Sequence, residues 1–313
     1  MPRGRGAPLD GRARPAGPAR VDLHTHTRRS DGVAEPRDLV AQAVGAGVTL
    51  LAVTDHDTLA GVREILAGGG VPAGLELVPG VEINTVAAIP DLPDGELHLL
   101  GLGVDPDDER FEAVLAGQRA LRAARFEGMA RRLRETGTPV DAELADLDRT
   151  ATPALGRPTL ARALVRAGHA ADVGDAFARL VGRGAPAYLP RDGIGPAVAI
   201  RAIREAGGLA VLAHFSEAPR RLAIVDELRA AGLGGLEVHY RAFDRATVEA
   251  LATVAAARRL VATGGSDYHG DEGPYAVAHA ELAVPDDVAA PVREALAAAR
   301  ALRASRPAAT VPR

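Results

Sequence analysis

The chain has 313 residues, 47% of them hydrophobic and 25% charged, with a formal net charge of −4. That length suits one large α/β barrel or two domains, and the slight acidity argues against a surface for long duplex nucleic acid. Cysteine is absent, which excludes disulfides, zinc–thiolate sites and thiol nucleophiles and fits a reducing, cytoplasmic setting. No apolar run reaches the length of a membrane span.

Lysine is absent as well, so every basic side chain is Arg or His. A carboxylated-lysine metal bridge and a lysine Schiff base are therefore impossible. Aromatic residues make up 3%, so the core must be built from Val, Leu, Ile and Ala. Residues 1–20 are rich in Arg, Pro and Gly without a signal-peptide apolar region, and read as a disordered arm.

The first strand is expected at Val21-Asp22-Leu23-His24-Thr25-His26. Alternation puts Asp22, His24 and His26 on one face, and Asp31 follows in the turn Ser30-Asp31-Gly32. A helix opens at Glu35-Pro36 and closes at Gly45. The apolar run 48–54 reads as a strand buried on both faces. It ends in Thr54-Asp55-His56-Asp57-Thr58, with a short helix beyond. Residues 75–85 form a strand with Glu82 near its end, and 96–104 a fourth carrying His98.

From 108 to about 188 the pattern is helical, with breaks at Gly137-Thr138-Pro139 and Gly156-Arg157-Pro158. Its Arg-rich faces (Arg119, Arg122, Arg125, Arg131, Arg132, Arg134) read mainly as solvated helix surface. Strand–helix alternation resumes at Pro196: strands at 209–214, 235–240, 260–263 and about 280–284, helices at 197–206, 223–231, 244–258 and 287–303. The expected organisation is a barrel made of 21–107 and 191–303, an inserted helical cap at 108–190, and a tail at 304–313. About seven parallel strands with intervening helices make an α/β fold with a closed or nearly closed barrel.

The chemistry collects at one kind of position. His24, His26, His56, Glu82, His98, His214, Asp267 and His269 each sit at or past the carboxyl end of an expected strand, and in a barrel those ends share one rim. Six of the nine histidines fall in this set. Imidazole and carboxylate suit Zn, Mn or Fe(II). Each residue has an ordinary alternative: a core histidine for His98, an ion-pair partner for Glu82, a strand cap for His214, a turn stabiliser for Asp267. Those alternatives need a separate cause at every position, and one shared site needs a single cause. His169 and His279 lie outside the pattern, and His239 is ambiguous.

The ordered series His24-Thr25-His26, Ser30-Asp31-Gly32, Thr54-Asp55-His56-Asp57-Thr58, Gly80-Val81-Glu82, Glu96-Leu97-His98, Leu212-Ala213-His214 and Gly264-Gly265-Ser266-Asp267-Tyr268-His269 resembles the PHP (polymerase and histidinol phosphatase) family of metal-dependent phosphoesterases. It is most similar to the branch with a helical insertion bearing Gly-Arg-Pro, which includes 3′,5′-nucleoside bisphosphate phosphatases and short-RNA 5′-end exonucleases. The resemblance implies a distorted (β/α)7 TIM-like barrel with three divalent ions (Mn, Fe or Zn). One ion would take His24, His26, Glu82 and Asp267; a second would share Glu82 and add His98 and His214; a third would take Asp31, His56 and His269. Glu82, Asp267 and His269 would be catalytic. The chain departs from the family pattern at Thr159, where relatives often have His, and at Phe215 in place of the usual Pro.

The implied activity is hydrolysis of phosphate monoesters of small nucleotides such as pAp, with 5′-end trimming of short RNA, by metal-bound hydroxide attacking phosphorus in line. Arg matches phosphate bidentately, so Arg157, and more weakly Arg183, are candidates to bind a small nucleotide or short oligoribonucleotide. Histidinol-phosphate phosphatase or another small-molecule phosphatase is the competing activity, and a metal-binding protein without activity is disfavoured by the intact ligand set.

Overall fold

The structure is a computed structural model that describes residues 20–68, 71–87, 89, 92, 95–148, 152, 154–270 and 273–305. The expected arm, apart from Arg20, and most of the expected tail lie outside the described residues. Seven strands lie in spatial order β1 to β7: β1 (Val21–Asp22), β2 (Leu50–Val53), β3 (Glu76–Val86), β4 (Glu96–Leu102), β5 (Leu209–Leu212), β6 (Gly235–Tyr240) and β7 (Val261–Gly265). The amide of Leu23 donates to the carbonyl of Gly264, and Thr25 bridges Tyr268. The first strand thus meets the last, and the sheet is a nearly closed barrel.

Between β1 and β2 runs α1 (Pro36–Gly45), and α2 (Ala60–Ala67) follows β2. Pro36 starts α1 where its missing N–H costs nothing, and Leu39, Val40 and Ala43 form its buried stripe. After β4 come α3 (Glu109–Glu135), α4 (Asp141–Leu144), α5 (Arg157–Arg166) and α6 (Val173–Ala176), the last continuing into a π-helical turn, Phe177–Val181. Asp108 caps α3 by accepting from the amide of Phe111 at 2.9 Å. These helices close over an apolar cluster of their own, including Phe126, Met129, Leu133, Leu160, Leu164 and Val181. Then α7 (Pro196–Glu205), α8 (Leu222–Ala231) and α9 (Arg245–Arg258) alternate with β5 to β7, followed by α10 (Tyr275–Glu281) and α11 (Ala289–Ala304).

Two expectations are corrected. β4 is antiparallel to both β3 and β5, not parallel. The link 87–95 is too short for a parallel crossover, which needs a dozen or more residues, so the chain doubles back. His98 consequently reaches the rim from the amino end of its strand. The strand expected near 280–284 is absent: α10 covers 275–281, and Leu282 and Val284 pack under the barrel as irregular chain. A short apolar run fits either period, and burial against β1 and α11 decides it. No helix among the described residues is long and apolar enough to cross a membrane.

Candidate metal centre

All nine expected ligands converge at one mouth of the barrel. Their side-chain atoms fall into three groups: His24, His26, Glu82 and Asp267; Glu82, His98 and His214; and His26, Asp31, His56 and His269. Within each group the donor atoms lie within 4.8 Å of one another. Glu82 joins the first two groups: Oε2 lies 3.3 Å from His24 Nε2 and 3.2 Å from His26 Nε2, while Oε1 lies 2.7 Å from His98 Nδ1 and 3.2 Å from His214 Nε2. His26 stands in two groups, one more than its sequence position suggested, because its ring also faces Asp31 at 3.9 Å and stacks on His269 at 4.1 Å.

These atoms fit cations better than they fit one another. His24 Nε2, both ring nitrogens of His26, Asp31 Oδ1, His56 Nδ1, Glu82 Oε2 and Asp267 Oδ1 are buried and make no hydrogen bond among the described residues. Buried polar atoms are normally satisfied, and a set of orphans at one point is the signature of a missing common partner. Bare imidazole and carboxylate oxygen, with no thiolate available, suit divalent transition metals.

The backbone is bent to build the rim. Asp57, His214 and Asp267 have positive φ, at 52°, 33° and 51°, a conformation that non-glycine residues adopt at a cost and that clusters at functional sites. Gly265 lets β7 pass close to β1: a Cβ there would stand 2.3 Å from Cβ of His24.

Several supporting residues were not singled out from sequence. Glu237 is fully buried on β6; its Oε1 lies 3.1 Å from His24 Nδ1 and its Oε2 accepts from the amide of His214 at 2.7 Å. That contact turns His24 Nε2 towards the centre. A lone Glu inside the apolar run Gly235-Leu236-Glu237-Val238 was the available signal. Tyr240 donates to Asp267 Oδ2 at 3.1 Å, leaving Oδ1 for the centre. Asp55 accepts from the Thr27 amide and the hydroxyls of Thr27 and Ser30, each at 2.7 Å, and so shapes the turn carrying Asp31. Asp22, expected on the ligand face, instead accepts from Ser266 Oγ at 2.6 Å and from the Tyr275 hydroxyl at 2.7 Å, pinning the start of the Asp267 loop.

The Arg-rich α3 does not read as expected either. Arg131 and Arg134 are exposed, but Arg122 and Arg125 are buried. Arg122 pairs with Asp57 at 2.9 Å and donates to Asn84 Oδ1, while Asn84 Nδ2 approaches His98 Nε2. Arg191 pairs with Glu96 at 2.7 Å, and Glu96 Oε2 is 3.8 Å from His98 Nε2. Helical periodicity does not reveal which face of an insertion meets the barrel, and α3 turns this one inward. Of the two substrate candidates, the Arg157 guanidinium lies against Phe177 at 5.7 Å and Tyr188 at 5.8 Å. Arg183 donates to the carbonyl of Leu92 at 2.7 Å. His169 Nε2 lies 3.0 Å from the Pro139 carbonyl and His279 stacks on Tyr275, so both stand apart from the centre. His239 lines a separate surface groove with Phe243 and Pro285.

A cavity of about 250 Å³ opens beside the centre, walled by Pro158, Val173 and Phe177 of the insertion and by Arg241, Asp267 and His269 of the barrel. A larger cavity of about 520 Å³ lies at the opposite mouth, lined by Gly103, Asp105, Gly207 and Arg303. We assign the chemistry to the smaller one, because the larger contains none of the nine ligating side chains.

Protonation follows from these contacts. Burial alone would lower His98 and His269, but the carboxylates around them prevail: Glu82 and Glu96 raise His98 to about 9, and Asp267 and Asp31 raise His269 to about 10. Both therefore hold a proton at pH 7 in the ion-free chain, and a cation must displace it. Ion binding is expected to release protons at pH 7 and to tighten as pH rises towards 9; calorimetry in buffers of different ionisation enthalpy measures the release, and a release of zero would refute it. The ion-free fold should behave oppositely. Raised histidines stabilise it fully below about pH 6.5, and that share is lost as pH climbs through about 9 and about 10.

A barrel with buried His/Asp/Glu groups at one rim is the architecture of a metal-dependent hydrolase. The model of the PHP domain matches residues 22–124. The chain is 36% identical over 263 residues to a 5′-3′ exoribonuclease from Salmonella typhimurium, covering 79% of this chain and 84% of that one. It is 34% identical over 272 residues to a phosphoribosyl 1,2-cyclic phosphate 1,2-diphosphodiesterase from Eggerthella lenta, covering 84% and 98%. It is 30% identical over 275 residues to a 3′,5′-nucleoside bisphosphate phosphatase from Chromobacterium violaceum, covering 84% and 92%. A solved structure described as a metal-dependent phosphoesterase from Bifidobacterium adolescentis superposes with a TM-score of 0.75 at 35% identity, covering 91% of this chain and 97% of that one. The chain belongs to the PHP domain family and is a hydrolase of phosphoric ester bonds.

Proposed function

We propose that this hydrolase acts on phosphate esters of small nucleotides, with 3′,5′-bisphosphates such as pAp and the 5′ ends of short RNA as its substrates. The observation that carries this is the junction of three ligand groups with an Arg-bearing insertion across a cavity of about 250 Å³. That volume is of the order of a nucleoside. A long duplex could not enter it.

In this reading His24, His26, Glu82 and Asp267 hold one divalent ion, Glu82, His98 and His214 a second, and Asp31, His56 and His269 a third, with His26 alongside. Mn, Fe and Zn all suit the donor set. Bound ions would lower the pKa of water from about 15.7 towards about 7 and offset charge on the phosphate oxygens. The chain itself supplies the orientation. Glu237 fixes the His24 ring, Tyr240 fixes Asp267, and Asp55 fixes the turn that carries Asp31. Glu82, Asp267 and His269 are the side chains assigned to catalysis. Arg157 faces the cavity wall through Phe177 and is assigned to the substrate. Arg183, which donates to the Leu92 carbonyl, is the weaker candidate for the substrate.

The substrates named for the three relatives are RNA, a nucleoside bisphosphate and a phosphoribosyl cyclic phosphate. Each contains more than one phosphate group, and this supports a site that recognises more than the phosphate it cleaves. Absence of cysteine is consistent with work in the reducing cytoplasm.

The test is metal analysis joined to a phosphate-release screen. Protein reconstituted separately with Mn, Fe and Zn is assayed on pAp, 5′-phosphorylated oligoribonucleotides of two to five residues, histidinol phosphate and an aryl phosphate. Turnover of pAp or the oligonucleotides well above the other two is the expected result. Preference for histidinol phosphate would replace this reading with the competing one, and inertness towards all four would sink it.

A further inference from the structure

The barrel closes where β1 meets β7, and that seam carries ligating side chains on both of its sides. His24, His26 and Asp31 lie on the β1 side, and Asp267 and His269 lie in the loop after β7. Backbone bonds cross the seam from the amide of Leu23 to Gly264, of Asp267 to His24 and of His26 to Tyr268. One buried side chain also spans it. Asp22 is fully buried, and its two oxygens accept from both sides. Oδ1 accepts from the amides of His24 at 3.3 Å and Ser266 at 2.9 Å. Oδ2 accepts from the hydroxyls of Ser266 at 2.6 Å and Tyr275 at 2.7 Å. An ionised carboxylate offers about four lone-pair sites, so these donors saturate it.

What these bonds hold is a strained ligand. Asp267, the residue after Ser266, has a φ of 51°. A non-glycine residue keeps that conformation only when its surroundings over-determine it. Tyr240 fixes the carboxylate end of Asp267 through Oδ2, and Asp22 fixes the backbone from which the side chain starts. Tyr275 ties this arrangement to the outer helices. It opens α10 with no exposed surface, and its amide donates to Gln42 Oε1 of α1 at 3.2 Å. Its ring lies edge-on to Tyr268 at 5.2 Å and stacks on His279 at 5.6 Å. Packing sets the ring, and the hydroxyl reaches Asp22.

We propose that Asp22 and Tyr275 are positioning residues that clip the two ligand-bearing sides of the seam together and so select which ions the centre holds tightly. This rests on the three-ion reading above and is independent of which phosphate ester is cleaved. The first group needs both sides, taking His24 and His26 from one and Asp267 from the other. So does the third, with His26 and Asp31 from one side and His269 from the other. The second, Glu82, His98 and His214, draws on neither side. Loosening the clip therefore separates the ligands of the first and third groups and leaves those of the second in place.

The test uses the full-length protein and the variants Tyr275→Phe, Ser266→Ala and Asp22→Asn, each stripped of metal and titrated calorimetrically with Mn and, separately, Zn. Asp267→Ala and His214→Ala assign the binding steps, since each removes a ligand from a different group. Tyr275→Phe keeps the ring and loses only the hydroxyl. It and Ser266→Ala should raise the Kd of the first and third ions about 10- to 100-fold, the usual cost of losing an outer partner of a metal ligand. The second ion should keep its wild-type affinity. Asp22→Asn, which turns an N–H donor towards other donors, should do at least as much. Aryl phosphate turnover that Tyr275→Phe loses at limiting Mn should return at excess Mn. Should Asp22→Asn fail to fold, Tyr275→Phe carries the same measurement. Equal weakening of every ion, or affinities equal to wild type, would overturn the clip, because a merely structural bond lowers the melting temperature without choosing between ions. A turnover deficit that excess Mn leaves in place would overturn it too. If wild type itself takes up neither Mn nor Zn, the three-ion reading fails and the clip with it, an outcome visible without any variant.

Discussion

Glu82→Ala should reduce metal-dependent phosphoester turnover on the order of 10³-fold, the equivalent of several kcal/mol of transition-state stabilisation. Glu82 is 1% exposed, and its two oxygens meet five imidazoles: His24, His26 and His56 at Oε2, His98 and His214 at Oε1. No other ligating side chain joins the first two groups so closely. In the ion-free chain, burial would raise its pKa, but His56, His24 and His98 hold it well below the usual carboxylate range. It is therefore ionised and ready for cations. Loss of catalysis should come with loss of ions: metal analysis should show the variant binding fewer per chain than wild type. Wild type should melt at higher temperature as Mn is added, since an ion that binds the native state stabilises it. The variant should show much less of that rise. A Glu82→Ala protein with wild-type metal content and turnover would remove Glu82 from the centre.

Arg122→Ala should destabilise the protein by about 3 to 5 kcal/mol, the usual cost of stranding one member of a buried ion pair. In a chain of this size that lowers the melting temperature on the order of 10 °C. Arg122 is 4% exposed and Asp57 is fully buried at 2.9 Å from it. Removing the guanidinium leaves the Asp57 carboxylate with Arg191, at 4.0 Å, as its one remaining ion-pair partner among the described residues. Asn84 Oδ1 loses its donor in the same step. Because Asp57 adjoins His56, and Asn84 approaches His98, turnover should fall even where the fold survives at low temperature. Arg131→Ala, on the exposed side of the same helix, should change stability by less than about 0.5 kcal/mol. Thermal melts of the two variants decide the point, and similar melting temperatures for both would refute a buried role for Arg122.

Much of the centre was legible in the chain because local chemistry and strand geometry suffice to mark it. His24-Thr25-His26 brings two imidazoles to one side as alternation predicts, although the regular strand expected over 21–26 ends at Asp22 and Thr25 continues it as an isolated bridge to Tyr268. His214 and Asp267 stand just past the ends of β5 and β7, which any barrel gathers onto one rim, whereas Glu82, expected near a strand end, lies within β3. Alternating apolar strands and amphipathic helices, broken by Gly and Pro, specify the (β/α) architecture without reference to distant contacts. These are short-range properties.

What the sequence could not express was direction and facing. The apolar run 96–102 is the same string whether its strand runs up or down, and only pairing with β3 and β5 reverses it. The arginines of α3 read as a solvated stripe because helical periodicity is blind to which face a distant element will cover. Packing turned Arg122 and Arg125 inward against Asp57 and Glu96, over 20 residues away in sequence, and left Arg131 and Arg134 in solvent. His26 gained its second group of neighbours, and Glu237 its place behind His24, through contacts between strands far apart in the chain. Side-chain type and period determined which residues can bind metal, whereas tertiary packing decided which of them share an ion and which charges the insertion lays beside them.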